Sequence, residues 1–317
     1  MLSSLRRISR RALGRTWKPL DLPASGFPKL APHIPIEEET LPQYLASRYY
    51  PVRLGEVLQE RYQPLSTVWL ARDLTHQRHV ALKLYVHSGS IGDQIDNEID
   101  MYKRIEAGPK RHPGYDAIRP LLGSFDMDGP DGKHRRLVHT PLLESPPIVA
   151  FVLKQLFLAL DFLHSECQVI HTDLKADNIM FSVEDERVFS DLEQAELISP
   201  SPRKEVAGRT IYTSRQLHTA KGIGVPVLCD FGSAVLGNIK HTEDVQPNVY
   251  RAPEVILEAP WSYEIDIWNA GCMVWDIYEG GHLFRGWDPE HDTYRAYRSR
   301  AHISEMIALL GPPPSDL

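Results

Sequence analysis

VIHTDLKADNIM, residues 169–180, is the stretch of sequence that decides the predicted fold. It places Asp173, Lys175 and Asn178 between pairs of apolar residues that are typical of short strands. Metal-assisted phosphoryl transfer needs a carboxylate for the substrate hydroxyl, a cation for the phosphate and an amide oxygen for Mg²⁺. The spacing therefore predicts a catalytic loop, in which Asp173 and Lys175 carry the chemistry and Asn178 binds the metal.

Two charged residues upstream of this loop lie in apolar patterns. Lys83 ends the alternating segment VALK (80–83), which predicts a strand. Glu98 lies in DNEIDMYKRI (96–105), whose apolar residues share one face of a predicted helix. We expect Glu98 to be the ion-pair partner that holds Lys83.

Further motifs follow the loop in the chain. VLCDFG (227–232) predicts a buried strand that ends at Asp230, a second candidate metal ligand. A 25-residue segment runs from Asp230 to Glu254, the last residue of an APE triplet, and Asp266 lies in a largely apolar helical run over 262–278. Each motif alone has an ordinary structural interpretation, but five of them in this order do not. The candidate structural residues of this region are Phe231, Gly232, Glu254 and Asp266.

Taken in this order, the motifs resemble those of eukaryotic protein kinases, and three features resemble the serine/arginine-rich (SR) protein kinases. Thr172 replaces the arginine of the usual HRD triplet. The segment HTEDVQPNVYRAPEV (241–255) is similar to the activation loop of that subfamily. Asn178 and Asp230 are 52 positions apart, where other kinases have a short hairpin. The resemblance covers about residues 48–316.

This resemblance implies an α+β, two-lobed fold with a small β-rich N-lobe and a larger helical C-lobe. It implies ATP-dependent phosphorylation of serine in basic, Arg/Ser-rich proteins such as splicing factors, with ATP and Mg²⁺ as cofactors. Lys83 would bind the α- and β-phosphates, and backbone groups near Leu142 would bind adenine. Asn178 and Asp230 would bind Mg²⁺. Because Thr172 cannot bind a phosphate as arginine does, we expect the activation loop to be held by its own packing.

The predicted organisation has three parts and one insert. Residues 1–47 form a basic, proline-rich arm that is disordered or a targeting segment and is an extended linker from residue 19. The N-lobe spans 48–142 and the C-lobe 143–317, with a polar insert at about 183–226. The predicted strands lie around 57–62, 66–72, 79–86, 119–126 and 135–139, and the predicted helices around 92–106 and 293–310.

Two segments of the C-lobe receive more specific predictions. One apolar stripe at helical spacing predicts a core-facing helix; it consists of Val149, Val152, Leu153, Leu156, Phe157, Leu160 and Leu163. In the insert, SPSPRK (199–204) predicts a loop. Ser199 and Ser201 each precede proline, which is compatible with phosphorylation, but ordinary loop chemistry is the favoured interpretation.

Composition agrees with an intracellular enzyme. A chain of 317 residues, 42% of them hydrophobic, can bury two cores, and no apolar run approaches the length of a membrane span. The three cysteines lack metal-ligand spacing and are predicted to be reduced and buried. We expect a monomer in cytoplasm and nucleus that binds no nucleic acid directly.

Charge leaves two questions open. The first 20 residues carry six basic residues and no acid, so the rest of the chain carries a net charge of −13. An acidic body suits a basic peptide substrate, but it fits an ordinary acidic protein equally well. The Arg/Ser-rich, acid-free N-terminus also satisfies the description of a mitochondrial transit peptide, which is the alternative localisation.

Three departures from the kinase pattern favour a second hypothesis. Only Gln63-Pro64-Leu65 lie between Glu60-Arg61-Tyr62 and STVWLARDL, roughly eight residues fewer than a glycine-rich loop over the nucleotide phosphates requires. The helix expected after the hinge near Leu142 is missing, and the chain stops after GPPPSDL. Glu254 is therefore expected to lack the arginine that pairs with it in kinases. The alternative function is a catalytically impaired binding module, or a shortened gene product.

Overall fold

The protein is described by a computed structural model over residues 16–42, 44–66, 70–85, 91–130, 132–143, 149–215, 217, 222–288 and 296–314, without the side chains of 91–93 and 223. The described residues form two compact units. One comprises those within 1–84 and 186–219, and the other those within 85–185 and 220–317. The arm and lobe boundaries at 47 and 142 stay predictions.

Among the strands and α-helices of the described part of the chain, the strands come first and the helices last, with both kinds of element between them. The strands are β1 Tyr62–Pro64, β2 Leu70–Asp73, β3 Arg78–Leu84, β4 Leu121–Gly129, β5 Gly132–His139, β6 Leu142–Leu143, β7 Val169–Ile170, β8 Ile179–Val183, β9 Arg203–Val206, β10 Arg209–Tyr212, β11 Ile223–Leu228 and β12 Val235–Leu236. The α-helices are α1 Ile91–Ala107, α2 Val149–Asp161, α3 Arg187–Ile198, α4 Pro253–Ile256, α5 Glu264–Glu279 and α6 Ser299–Leu310. Short 3₁₀ helices span Glu37–Thr40, Ala46–Arg48, Tyr115–Ala117, Ala176–Asn178 and Asn248–Tyr250, and a π-helical turn spans Phe162–Cys167.

In the first unit, β1, β2 and β3 form an antiparallel meander. Tyr62 pairs with Asp73, and Leu70 pairs with Ala81. The first strand begins later than predicted. Gln59 and Glu60 have positive φ values of 49° and 54°, and extended backbone cannot pass through that region. Residues 59–61 of the predicted strand therefore form a tight turn, and β1 begins only at Tyr62.

The polar insert contains α3 and the β9–β10 hairpin. The loop predicted at 199–204 is present over 199–202 only, because β9 begins at Arg203. Ser201, in this loop, is buried, and its hydroxyl donates to Glu196 Oε2 at 2.7 Å. Ser199 is exposed. Phosphorylation of Ser201 would bring a second charge against a buried carboxylate, which excludes it in this fold.

The predicted linker at 19–47 packs onto this first unit. Leu30 N–H donates to the carbonyl of Arg203 at 3.0 Å, and Lys204, almost fully buried, lies 2.6 Å from Glu39 Oε2. Before this linker, Trp17 N–H donates to the carbonyl of Leu74 at 2.8 Å. The contacts of this unit therefore begin well before residue 48, where the predicted N-lobe begins.

The second unit has a large apolar core formed by α1, α2, α5 and the strands near the catalytic loop. Phe162, Leu163, Phe231 and Met273 are all fully buried in it. The predicted stripe is buried at Val152, Leu156 and Leu160 of α2 and at Leu163 of the π-helical turn that follows, but Phe157 is 47% exposed and is outside the core. The segment 144–148, where the helix after the hinge would start, lies outside the described residues.

Two small antiparallel pairings in this unit position the site. β8 lies between β6 and β11, and β7 pairs with β12. These pairings bring the residue before β8 (Asn178) and the residues after β11 to one end of the same sheet. All three cysteines are buried and free, as predicted. None of the helices in the described part of the chain has the length and apolarity to cross a membrane.

Three helices of this unit test the remaining length predictions. The helix predicted at 92–106 is α1, and the helical run at 262–278 is α5, each within two residues. α6 begins at Ser299, six residues after the predicted start, and residues 293–295 of that prediction lie outside the described part of the chain. The two long helices were predictable because their apolar patterns extend over several turns.

Candidate active site

The catalytic loop brings its three predicted polar residues into mutual contact. Lys175 Nζ lies 2.8 Å from Asp173 Oδ2. Asn178 Nδ2 donates to the Asp173 carbonyl at 2.8 Å and to Asp173 Oδ2 at 3.0 Å. The Asp173 carboxylate is thus oriented by one cation and one amide, and its partly exposed position leaves it open to a substrate hydroxyl.

A buried carboxylate of α5 holds the backbone of this loop in place. Asp266 is fully buried, and its two oxygens accept the backbone N–H groups of His171 at 2.8 Å and Thr172 at 2.9 Å. His164 Nε2 lies 2.9 Å from the same carboxylate. Thr172 has a φ of +66°, unusual for a β-branched residue, so the turn depends on these bonds. Asp266 therefore ties α5 to the backbone of the catalytic loop.

Asp230 follows β11 directly beside the catalytic loop. Cys229 N–H donates to the Asn178 carbonyl at 2.8 Å, which brings the backbones next to Asp230 and Asn178 together. The Cys229 carbonyl in turn lies 3.0 Å from His171 Nε2. Asp230 has a φ of +64°, so the chain turns sharply at this residue. The two predicted metal ligands lie at the same end of the β8–β11 pairing.

The donor set fits Mg²⁺. Asn178 uses its amide nitrogen on Asp173, which leaves its amide oxygen to accept or ligate. Mg²⁺ is commonly bound by one or two protein oxygens with phosphates and water as the other ligands. No group of three His, Cys, Asp or Glu side chains suited to a metal occurs among the residues described. Asn178 and Asp230 are the residues that would hold the ion.

Phe231 and Glu98 tie α1 to the site. Phe231 is fully buried, with its ring 5.2 Å from Tyr102 of α1 and 5.1 Å from His171. Glu98 is 1% exposed and accepts a hydrogen bond from the Tyr85 hydroxyl. A methyl group in place of hydrogen on Gly232 would lie 3.4 Å from both Glu98 Oε2 and Asp230 Oδ1, so these carboxylates approach the same glycine.

Three further predicted residues belong to other elements. Lys83 is in β3 of the first unit, and Leu142 is in β6, where it pairs with Ser182. Glu254 is in α4, and burial raises the pKa of its carboxyl group. Over the described ranges, Glu254 forms no ion pair.

Two side chains make hydrogen bonds to the segment after Gly232 that the sequence analysis did not predict. Asn97 Nδ2 donates to the Ala234 carbonyl at 2.8 Å, and Thr172 Oγ1 donates to the Ser233 carbonyl at 2.8 Å. Side chains that bond only to backbone carbonyls follow no spacing rule, because any residue can supply the acceptor. Only the position of Asn97 beside Glu98 could have directed attention to it.

Comparison with known proteins gives a family match and several related kinases. Residues 127–315 match the protein kinase domain. A serine/threonine protein kinase of Aspergillus fumigatus is 40% identical over 316 residues, which cover 92% of this chain and 75% of that protein. Serine/threonine-protein kinase SRPK of Physarum polycephalum is 30% identical over 321 residues, which cover 88% and 73%. Dual specificity protein kinase CLK2 of Homo sapiens is 29% identical over 283 residues, which cover 83% and 50%.

Proposed function

This chain belongs to the protein kinase family as a serine/threonine kinase, and we propose that it transfers the γ-phosphoryl group of ATP to serines in Arg/Ser-rich proteins. The observation that carries this proposal is the hydrogen-bonded group of Asp173, Lys175 and Asn178 beside Asp230. The similarity to SRPK of Physarum polycephalum supports the choice of subfamily.

In the proposed mechanism, this chain's side chains position and deprotonate the substrate. Asp173 accepts the proton of the substrate serine hydroxyl, and Asn178 and Lys175 keep its carboxylate oriented toward that hydroxyl. Lys175 also offers its ammonium group to the phosphoryl oxygens as the substrate oxygen approaches. When bound, Mg²⁺ would neutralise phosphate charge, and Asn178 and Asp230 would hold it. Lys83 and Glu98 are proposed to serve the α- and β-phosphates and Leu142 the adenine.

The proposed substrate class follows from charge as well as from relationship. Outside its first 20 residues the chain carries a net charge of −13, which attracts a basic peptide. The proposed location is the cytoplasm and nucleus, where Arg/Ser-rich splicing factors occur, and the proposed state is a monomer. The mitochondrial alternative depends on the first 20 residues, and 1–15 of these lie outside the described part of the chain.

The test is phosphotransfer from radiolabelled ATP to three peptides that present serine between arginines, between lysines or between glutamates. We expect labelling in the order arginine, lysine, glutamate, and we expect Asp173→Asn to abolish it. Asp191→Asn, on the exposed face of α3, is the matched control. Preferential labelling of the acidic peptide would contradict the substrate class, and full activity in Asp173→Asn would contradict the mechanism.

One observation favours the second candidate, a non-catalytic binding module. β1 and β2 are joined by only five residues, 65–69, and Leu65 N–H already donates to the Leu70 carbonyl at 2.8 Å. This connection contains no glycine. Binding of the Arg/Ser peptide without any labelling, in both wild-type protein and Asp173→Asn, would establish the binding module.

A further inference from the structure

Four residues separate Asp230 from the next regular strand, and the structure fixes both ends of this short segment. At one end, Asp230 turns with a φ of +64°. At the other end, β12 pairs with β7, with Val235 opposite Ile170. The segment 231–234 is therefore a short bridge whose own conformation decides how Asp230 is presented.

The bridge is held by two neutral side chains that approach from different elements. Thr172, in the catalytic loop, donates its hydroxyl to the Ser233 carbonyl at 2.8 Å. Asn97, in α1, donates its amide to the Ala234 carbonyl at 2.8 Å and lies 3.4 Å from the Gly232 carbonyl. The carbonyls of Gly232, Ser233 and Ala234 thus each lie next to a side-chain donor, which is Thr172 for Ser233 and Asn97 for the other two.

We propose that Asn97 and Thr172 are paired positioning residues that hold the bridge and thereby keep Asp230 oriented for Mg²⁺. This inference rests on the proposed function and adds to it a reason for the threonine at position 172. The residue is fully buried and has strained backbone, and its hydroxyl bonds to the segment that presents the metal ligand. Asn97 has the corresponding role from α1, next to Glu98.

The placement of the two residues explains why neither acts by simple packing. Phe231 and Ala234 anchor the two ends of the bridge, because both side chains are fully buried in the apolar core. Ser233 lies between them with an exposed side chain, so its own side chain does not fix the orientation of its peptide groups. The hydrogen bonds to the carbonyls of the bridge add this orientation, and each contributes about 1 kcal/mol net.

The first experiment measures hydrogen–deuterium exchange of the backbone amides of residues 231–236 in the full-length protein, with no nucleotide present. Thr172→Val and Asn97→Leu keep the side-chain volume and remove the donor, and each should raise the exchange rate about fivefold. Thr172→Ser keeps a hydroxyl and should exchange as wild type. Asp100→Asn, an exposed change on the same helix, should also leave the rate unchanged.

The second experiment measures the Mg²⁺ concentration that half-saturates binding of ADP. Removal of either donor should raise this concentration about fivefold, and the double variant should raise it further. A structural role alone would lower the melting temperature without changing the Mg²⁺ dependence and without rescue by Thr172→Ser.

Wild-type exchange rates in both Thr172→Val and Asn97→Leu would overturn the inference, as would equal damage from Thr172→Ser and Thr172→Val. Because exchange needs no activity, its outcome is separable from the proposed function. A chain that labels no peptide but shows the donor-dependent exchange would refute the kinase activity and keep the positioning role. Asn97 is only partly buried, so we expect Asn97→Leu to fold. If Thr172→Val fails to fold, the exchange rates of Asn97→Leu alone test the positioning role.

Discussion

The catalytic loop of the second unit and the β1–β2 hairpin of the first unit differ in how much of the phosphoryl-transfer apparatus each retains. In the loop, Asp173, Lys175 and Asn178 are in contact, and Asp266 secures their backbone. In the hairpin, five residues without glycine replace the loop that covers phosphates in kinases. Chemistry and nucleotide covering are therefore separable parts, and the following predictions test each part.

The largest effect is expected from loss of the buried carboxylate under the catalytic loop. Asp266→Ala leaves the N–H groups of His171 and Thr172 buried without an acceptor, which should destabilise the second unit by about 3 kcal/mol or more and abolish phosphotransfer. Urea denaturation measures the loss, with Asp191→Ala on the surface of α3 as the control. A stable Asp266→Ala protein would show that the loop does not depend on α5.

The next prediction concerns the pH dependence of folding stability, which is expected to differ between the two units. In the second unit, burial lowers the pKa of His302 to about 4, against a weaker opposing effect of Glu305. The folded state then binds fewer protons than the unfolded state, so stability is lost as pH falls from about 6.5 to about 4, by on the order of 3 kcal/mol. His302→Asn should remove this dependence in urea denaturation, and an unchanged pH profile would contradict the assignment.

In the first unit the corresponding pH window is lower. Burial favours a raised pKa for Asp73, but hydrogen bonds from Arg61 and the His76 N–H lower it to about 2. The carboxylate therefore stabilises the fold above pH 4, and about 2 kcal/mol is lost as pH falls from about 4 to about 2. Asp73→Asn should be less stable than wild type at pH 7 and equal to it at pH 2. Equal stability at pH 7 would rule out this contribution.

A tenfold effect is expected from restoring what the hairpin lacks. Eight residues containing G-x-G-x-x-G, inserted between Leu65 and Ser66, would add backbone N–H groups for the β- and γ-phosphates. The KM for ATP should fall about tenfold or more, with little change in kcat. An insertion of equal length with serine at each glycine position is the control. The same gain from both insertions would mean that length, and not glycine, limits nucleotide binding.

The smallest effect concerns the two Ser-Pro positions of the insert. Ser201→Ala removes a buried hydroxyl bonded to Glu196 and should destabilise the first unit by about 1 kcal/mol. Ser199→Ala changes an exposed residue and should be neutral within about 0.5 kcal/mol. Thermal denaturation of both variants measures the difference, and equal melting temperatures would show that the Ser201–Glu196 bond contributes nothing.

The two units also differ in how much of their secondary structure the sequence predicted. α1 and α5 were predictable because their apolar periodicity extends over many residues. The insert was not, because α3 buries a carboxylate, Glu196, on the face that packs against Ser201 and Arg203, and this hides its amphipathic pattern. The start of β1 was misplaced because its turn uses Gln59 and Glu60 at positive φ, where glycine or asparagine would have signalled it.

The site was predictable where chemistry fixes the residue type, and unpredictable where geometry alone does. Asp173, Lys175, Asn178 and Asp230 were named from their spacing, and the structure brings them together in one unit. Asn97 could not be found in this way, because its partners are backbone carbonyls that any sequence would supply.

The most direct test of the central claim, that this catalytic loop and Asp230 can hold a metal nucleotide despite the short hairpin, is a thermal-shift titration with Mg-ATP. We predict a rise in melting temperature at millimolar nucleotide that depends on Mg²⁺ and is lost in Asp230→Asn. An unchanged melting temperature in the wild-type protein, or an equal rise in Asp230→Asn, would contradict it.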